Sequence, residues 1–554
     1  MDHNEEFRFG SAKKASDKEI DANGMFDPSV GPYQVTMESG CDVFNSEDGS
    51  TLIMAGPRSL KTAGFYMRAI PHSIRELEMN GLINDPRGEI TAMLSLYCTV
   101  HSVPFFSINF GQFDWAPHFR ANVWEHITPD SPTRDADCLE TMFDAIPLAT
   151  GSDGKSKWWE DDARSFGVAI LCWLTLRDGA PPSPKKFYQF LNLMTGDLER
   201  WASELERMLV CSAPLVPQFA NDVMQRQQGT GDSFSAPMST LAATFAFCKA
   251  QHYADAVSIS DFPLADLADP DKRMMVAMMP PFQHMALLAP ALRMVISSVI
   301  RAKLQNPGGR RVGFWLDEAG QLGVGFRRIP ELFTFAGGAG CYTAAAYQEP
   351  SMVFRCMGSQ QAGNELIGSA QWRQFRSIGS AEGASMVSRM AGDQTLEYNQ
   401  SVDQSLADMQ RRKAAQQLLK GGSLAETAAE FQHQTLAAEH RTKMHRRLFT
   451  ESEVLSSKQV FAFATRLLDG PITGRWVPVF DDRSLNGLIL NNPYHADTVR
   501  MRKRFDWRGK PRYANVPIVE AEVPDQWVHL PQYAQDFKLR YPKGHFPKPQ
   551  KRRT

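Results

Sequence analysis

Lys61-Thr62 closes the segment Ala55-Gly56-Pro57-Arg58-Ser59-Leu60, which follows an apolar run and precedes a helical stretch. A strand, a loop and a helix in that order make a place for the phosphates of a nucleotide. Backbone amides and the helix N-terminus supply positive potential, a lysine reaches the phosphates, and a hydroxyl one residue later ligates magnesium. Lys61 and Thr62 fit those two roles, with Gly56, Pro57, Arg58, Ser59 and Leu60 as the backbone around them. Against the pattern G-x-x-x-x-G-K-[ST], Ala55 and Leu60 stand at the glycine places and Gly56 is displaced by one. Taken alone, the segment also reads as a helix start that happens to carry a lysine.

A second element gives that loop a partner. Arg311-Val312-Gly313-Phe314-Trp315-Leu316-Asp317-Glu318 is an apolar strand ending in two acids. In phosphate-loop motors the first such acid holds the magnesium shell, and the second positions the attacking water as a base. Asp317 and Thr62 are therefore the expected metal-side residues, and Glu318 the expected base. Gln348 follows the run Cys341–Tyr347, so it falls at the carboxyl end of a further strand, where sheet enzymes place their ligands. A polar group there can sense a terminal phosphate; its plainer reading is a cap on the next turn. Lys61, Glu318 and Gln348 make up the expected catalytic set, with ATP and Mg2+ as the implied cofactors.

These residues need a parallel sheet to bring them together. Short apolar runs, Thr51–Ala55, Pro104–Asn109, Met274–Met279, Val312–Leu316 and Cys341–Tyr347, alternate with helical stretches, the pattern of crossover units covered on both faces. The fold class is α/β, with a mainly parallel sheet in residues 49–109 and 269–535. Between 110 and 268 strands give way to helices, including Asp162–Leu176, Lys185–Leu193 and Leu198–Leu209, which reads as an inserted all-helical domain. Residues 1–48 read as a polar lead-in, with the folded part starting near Thr51. Residues 400–447 read as an exposed helical or mobile arm, and 536–554 as a basic, extended tail.

The 554 residues exceed one compact core, and 43% hydrophobic against 22% charged residues is ordinary globular composition. A net charge of −2 excludes a strongly basic nucleic-acid domain and leaves local patches to meet phosphates. The eight cysteines show neither C-x-x-C pairs nor metal spacing and read as reduced thiols. No signal peptide and no membrane span is expected; the best apolar run noted, Phe166–Leu176, is well short of the roughly 20 residues a span needs.

Several blocks in order resemble the type IV coupling proteins, the ATPases of conjugation and effector secretion. Gly56-Pro57-Arg58-Ser59-Leu60-Lys61-Thr62 is similar to that family's G-P-T-R-S-G-K loop. Asp85-Pro86-Arg87-Gly88-Glu89 is similar to its D-P-K-G-E block, and Leu316-Asp317-Glu318-Ala319-Gly320-Gln321-Leu322-Gly323 to its L-D-E-x-x-x-L-G. Tyr347-Gln348 followed by Gly358, and Leu448-Phe449-Thr450-Glu451-Ser452-Glu453-Val454, resemble its later blocks. Two departures stand out: most members carry amino-terminal transmembrane helices, and the loop's last glycine is here Leu60.

The resemblance implies a RecA-like P-loop domain with an all-helical insertion, working as a homo-hexamer with nucleotide between subunits. It implies an ATPase that recruits relaxase-bound single-stranded DNA, or effector proteins, to the components of a type IV secretion channel. The expected location is cytoplasmic, peripheral at the inner membrane through those partners. Two other readings share the fold: a non-hydrolysing receptor with a degenerate loop, and a soluble DNA pump of the FtsK/HerA kind. Arg355, Arg373 and Arg376 are candidates for an arginine that completes a neighbouring site. Arg411-Arg412-Lys413 reads as a solvated helix face. The acids of Trp158-Trp159-Glu160-Asp161-Asp162 are expected to complement a helix N-terminus.

Overall fold

Apolar runs without polar alternation make strands buried on both faces, and this chain uses them at the centre of its sheet. The structure, a computed structural model, describes residues 10–147, 154–228, 233–398, 442–495, 497–506 and 510–549, with 409, 412, 413 and 416 as isolated positions. The strands in chain order are β1 (Tyr33–Met37), β2 (Asp42–Phe44), β3 (Thr51–Ala55), β4 (Asn80–Asn84), β5 (Phe105–Ile108), β6 (Met275–Met278), β7 (Val312–Leu316), β8 (Cys341–Tyr347) and β9 (Trp372–Arg376). They continue with β10 (Asp393–Tyr398), β11 (Thr442–Arg447), β12 (Val460–Ala464), β13 (Ile472–Arg475), β14 (Thr498–Phe505), β15 (Pro511–Ala521) and β16 (Leu539–Pro542).

Eleven of them form one sheet in the order β2-β1-β13-β12-β9-β3-β8-β7-β4-β6-β5. From β9 to β5 all neighbours are parallel. From β9 outward through β12, β13, β1 and β2 they are antiparallel. Leu52 and Met54 of β3 join the core on one face of the sheet, and Ile53 and Ala55 the core on the other. The register sets Met54 beside Tyr347 and Phe375, and Asn84 beside Leu316. The carboxyl ends of β3, β4, β7 and β8 thus share one edge, where crossover folds open a crevice for ligands.

Between β5 and β6 the chain is helical: Arg134–Ala145, Gly154–Asp178, Pro184–Gly196, Leu198–Leu209, Leu215–Gln228, Ser235–Thr244 and Gln251–Ala256. Buried Arg293 ties this region to the sheet body, donating to the carbonyls of Asp144 (3.2 Å), Ala145 (2.8 Å) and Leu322 (2.9 Å). The helix carrying Trp158–Asp162 begins earlier than the sequence implied, at Gly154. Its acids therefore lie beyond the first turn and pair with arginines instead, Glu160 and Asp161 with Arg164 and Asp162 with Arg226.

Other expectations are corrected. The polar stretch before Thr51 is not a lead-in: β1 and β2 extend the main sheet, with Tyr33, Val35 and Val43 buried. The tail is not simply a solvated end, because β16 pairs with β15 and Leu539 is fully buried beside Trp527 and Leu530. The nucleotide-binding domain also does not run evenly to residue 535, since β14, β15 and β16 form a separate sheet. The supposed 400–447 arm, with Arg411, lies outside the described residues apart from the isolated positions and β11, which pairs with β10. The longest apolar helix is not Phe166–Leu176. Among the described residues one helix, Phe282–Gln305, has the length and composition to cross a membrane, but 72% of its apolar window is buried inside the fold, as in a core helix.

β5 lies at the sheet's edge and is closed by a side chain. Gln532 accepts from the Phe105 amide (3.0 Å) and donates to Thr99 Oγ1 (3.2 Å) and the Val103 carbonyl (3.3 Å).

Candidate nucleotide site

The loop after β3 turns sharply because Arg58 (φ 59°) and Leu60 (φ 64°) both adopt the left-handed conformation. For a leucine this costs about 1–2 kcal/mol relative to glycine. Gly56 is required for another reason: a Cβ there would come within 2.4 Å of the Ser377 carbonyl oxygen. Its amide donates to the Arg376 carbonyl at 3.2 Å, fixing the loop to the end of β9. Lys61 then opens a wide helical turn, Lys61–Tyr66, that continues as the helix Met67–Arg75.

Lys61 Nζ lies 2.7 Å from Asp317 Oδ1 and 2.8 Å from Glu318 Oε1. Glu318, also left-handed (φ 54°), takes its second carboxylate oxygen to Gln348, whose Nε2 donates to Oε2 at 3.2 Å. Two further side chains hold the strand end. Asn84 donates to the Asp317 carbonyl (2.7 Å), and Tyr66 donates to the Leu316 carbonyl (3.0 Å) and the Ala344 carbonyl (3.2 Å). Burial disfavours the Lys61 ammonium, but Asp317 and Glu318 outweigh it and hold its pKa above the ordinary lysine value. Burial likewise raises Asp317 above the usual carboxylate range, Lys61 offsetting only part because that one cation serves two acids.

A cavity of about 590 Å³ opens on this cluster. It is lined by every residue from Ala55 to Ala63, by Asp317, Glu318 and Gln348, and by Asp85, Arg87, Glu89, Phe282, Asn492 and His495. The structure thus brings together the whole set that the sequence singled out. Ser59 is buried with a hydroxyl that has no hydrogen-bond partner among the described residues, an orphan in the loop where a phosphate oxygen would be received. Lys61 and Thr62, with Asp317 beside them, form a donor set suited to a phosphate and a hard, oxygen-loving cation.

Asp85 had been recognised only as part of a block, with no site role. Its carboxyl is fully buried and accepts from the Thr91 amide (2.7 Å) and hydroxyl (2.8 Å). Burial pushes its pKa up to about 7, against those hydrogen bonds and with some help from Asp317. Phe282, Asn492 and His495 carried no sequence signal; they reach the cavity from distant segments. The candidate arginines do not line it. Arg355 is exposed, Arg373 donates to the Ala370 carbonyl and Thr465, and Arg376 stacks over Trp476 with Nε and Nη1 unpartnered.

The later block is structural: Thr450 caps the helix Glu451–Ser456, and Glu453 answers it by accepting from the Thr450 amide at 2.8 Å.

The fold has counterparts among known proteins. The structure resembles the bacterial conjugative coupling protein TrwBdeltaN70 in its unbound monoclinic form, with a TM-score of 0.58 and 12% identity over 86% of this chain and 96% of that one. It resembles the plasmid coupling protein TrwB in complex with ADP and Mg2+ (0.57, 12%, 84% and 94%), and in complex with the non-hydrolysable ATP analogue ADPNP (0.57, 13%, 85% and 96%). At such identities the likeness bears on the fold, an α/β, RecA-like P-loop architecture. A search of curated proteins finds no match. The family model described as Type IV secretory system Conjugative DNA transfer matches residues 12–424. That span holds the phosphate loop, the paired acids and Gln348, and with it the chain belongs to the type IV coupling proteins of conjugative DNA transfer.

Proposed function

We propose that the protein is an ATP-driven coupling protein that hands relaxase-bound single-stranded DNA, or effector proteins, to a type IV secretion channel. The observation that carries this reading is Lys61 held between Asp317 and Glu318, with Gln348 on the free oxygen of Glu318, at the mouth of a cavity walled by the loop. The ADP–Mg2+ and ADPNP complexes of TrwB support it. In this reading Gly56–Thr62 embrace the phosphates and Thr62 and Asp317 take the magnesium, which neutralises phosphate charge when bound. Glu318 positions and deprotonates the attacking water, and Gln348 keeps Glu318 aimed. Family membership supports a homo-hexamer, with cytoplasmic docking at the inner membrane through channel partners. The helical region between β5 and β6 is the proposed cargo reader.

ATP binding and steady-state hydrolysis, measured with and without single-stranded DNA, test the reading. Lys61→Ala is expected to lose nucleotide affinity. Glu318→Gln is expected to bind ATP with magnesium but lose turnover by about 100- to 10,000-fold. Hydrolysis at the wild-type rate in Glu318→Gln removes Glu318 as the base. Leu60 at the glycine place favours one rival, a receptor that binds cargo without hydrolysis; absence of turnover in the wild type under every condition selects it.

A further inference from the structure

Residues 498–513 carry seven lysines and arginines against one acid, in a chain whose net charge is −2. The described ones among them belong to β14 and the start of β15, an antiparallel pair beyond the span that the family model matches. On one side of the hairpin Val499, Met501 and Val516 make a small buried cluster. Alternation along a strand sends Arg500 and Arg502 to the other side. There Arg500 stacks over Tyr513 at 4.2 Å, Arg502 over Phe505 at 4.1 Å, and Arg483 over Phe505 at 4.9 Å. Among the described residues no ion pair joins Arg483, Arg500, Arg502, Lys503, Lys510 or Arg512, so their charge is not spent inside the protein.

We infer that this face of the β14–β15 hairpin is a binding surface for single-stranded nucleic acid, a surface separate from the nucleotide cavity. The inference rests on the proposed role in DNA transfer and names a place where the strand is held. The backbone positions of Arg500 and Arg502, two residues apart on a strand, stand about 6.6 Å from one another, a row suited to following phosphates along an extended chain. Aromatic rings beside them offer stacking platforms that accept any base. A bilayer fits less well, because interfacial binding calls for a broad apolar face to bury, and here Val499 and Met501 of β14 point into the protein, leaving Phe505 as the one exposed apolar side chain of that strand. The hairpin begins where the cavity wall ends. Asn492 and His495 line the cavity, and Tyr494 between them donates to the Arg87 carbonyl at 3.0 Å.

The test uses the full chain, a fluorescein-labelled oligothymidylate read by anisotropy over a salt series, and vesicles of phosphatidylglycerol and phosphatidylcholine. Arg500→Gln with Arg502→Gln is expected to weaken oligonucleotide binding about tenfold or more. It should also flatten the salt dependence by about 1.4 in log–log slope, roughly 0.7 for each lost phosphate contact. Tyr513→Ala should weaken binding about tenfold with the slope unchanged, and Tyr513→Phe should retain it. ATP affinity at the wild-type level shows that these variants are folded. Unchanged oligonucleotide affinity in the variants, with the wild type binding, overturns the assignment and leaves the coupling role standing. Loss of vesicle binding without loss of oligonucleotide binding also overturns it, in favour of a lipid surface. A wild type that binds no single strand overturns both this surface and the DNA part of the proposed function.

Discussion

Lys61 Nζ and Asp317 Oδ1 stand 2.7 Å apart across the mouth of the cavity, so the lysine of the phosphate loop is held by the acid that ends β7. The same ammonium neutralises Glu318. All three side chains are 20% exposed or less, so removing the lysine strands two neighbouring acids. Lys61→Met is expected to destabilise the nucleotide-free protein by about 3–5 kcal/mol. Adding Asp317→Asn should recover much of that loss, as measured by chemical denaturation; a double variant as unstable as the single one refutes this account.

Gln348 holds Glu318 through one hydrogen bond, on the carboxylate oxygen that Lys61 leaves free. Gln348→Ala is therefore expected to lower ATP turnover about tenfold or more while leaving nucleotide affinity within about twofold, the pattern of an interaction used mainly in the transition state. Isothermal titration set beside steady-state kinetics separates the two effects. An equal loss of affinity would instead make Gln348 a binding residue.

Leu60 holds a left-handed conformation that glycine adopts freely. Leu60→Gly relieves about 1–2 kcal/mol of strain but loses about 0.4–1 kcal/mol to the greater freedom of the unfolded chain. The expected result is a stability between unchanged and about 1.6 kcal/mol higher. Leu60→Val should be destabilising, because a branched Cβ fits this region worst. Thermal melts of the two variants give the order.

Asp85 has a folded pKa of about 7 against an ordinary value of 3.8. Between those values the folded state binds the extra proton, so stability declines as pH rises from about 4 to about 7 and is level above that. Asp85→Asn keeps an acceptor for Thr91 and removes the titration. Melts at pH 5 and pH 8 should show a smaller drop for the variant than for the wild type; equal drops would assign the slope to other groups.

The central strands and the paired acids were legible because both leave local marks. β3, β7 and β8 are unbroken apolar runs, and Asp317-Glu318 ends one of them. β4 escapes a sequence reading, since its five residues begin and end in asparagine; both side chains are buried, and their amide groups donate to distant carbonyls, those of Leu267 and Asp317. β1 was missed for a similar reason. Gln34 and Thr36 look polar in sequence, but Gln34 donates to Tyr342 (3.1 Å) and Thr36 to Asp42 (2.7 Å) inside the fold. Asn492 and His495 were out of reach, because nothing near them in the chain reports that residues 400 positions away form the phosphate loop. The core helix ending at Gln305 was hidden by Pro290 and Arg293, which interrupt its apolar run although Arg293 is itself buried.

Gln532 on the Phe105 amide puts one side-chain amide where another strand would hydrogen-bond. The segment that carries Gln532 thereby acts as a stopper against sheet growth. A free edge invites pairing with a second chain, and a protein proposed to gather in rings, at high local concentration beside a channel, is exposed to that hazard. With β5 blocked at this end and β2 only three residues long at the other, copies are steered away from joining strand to strand. The proposed assembly would then go through side-chain surfaces, which can part and re-form as subunits change shape, whereas a shared sheet would weld them.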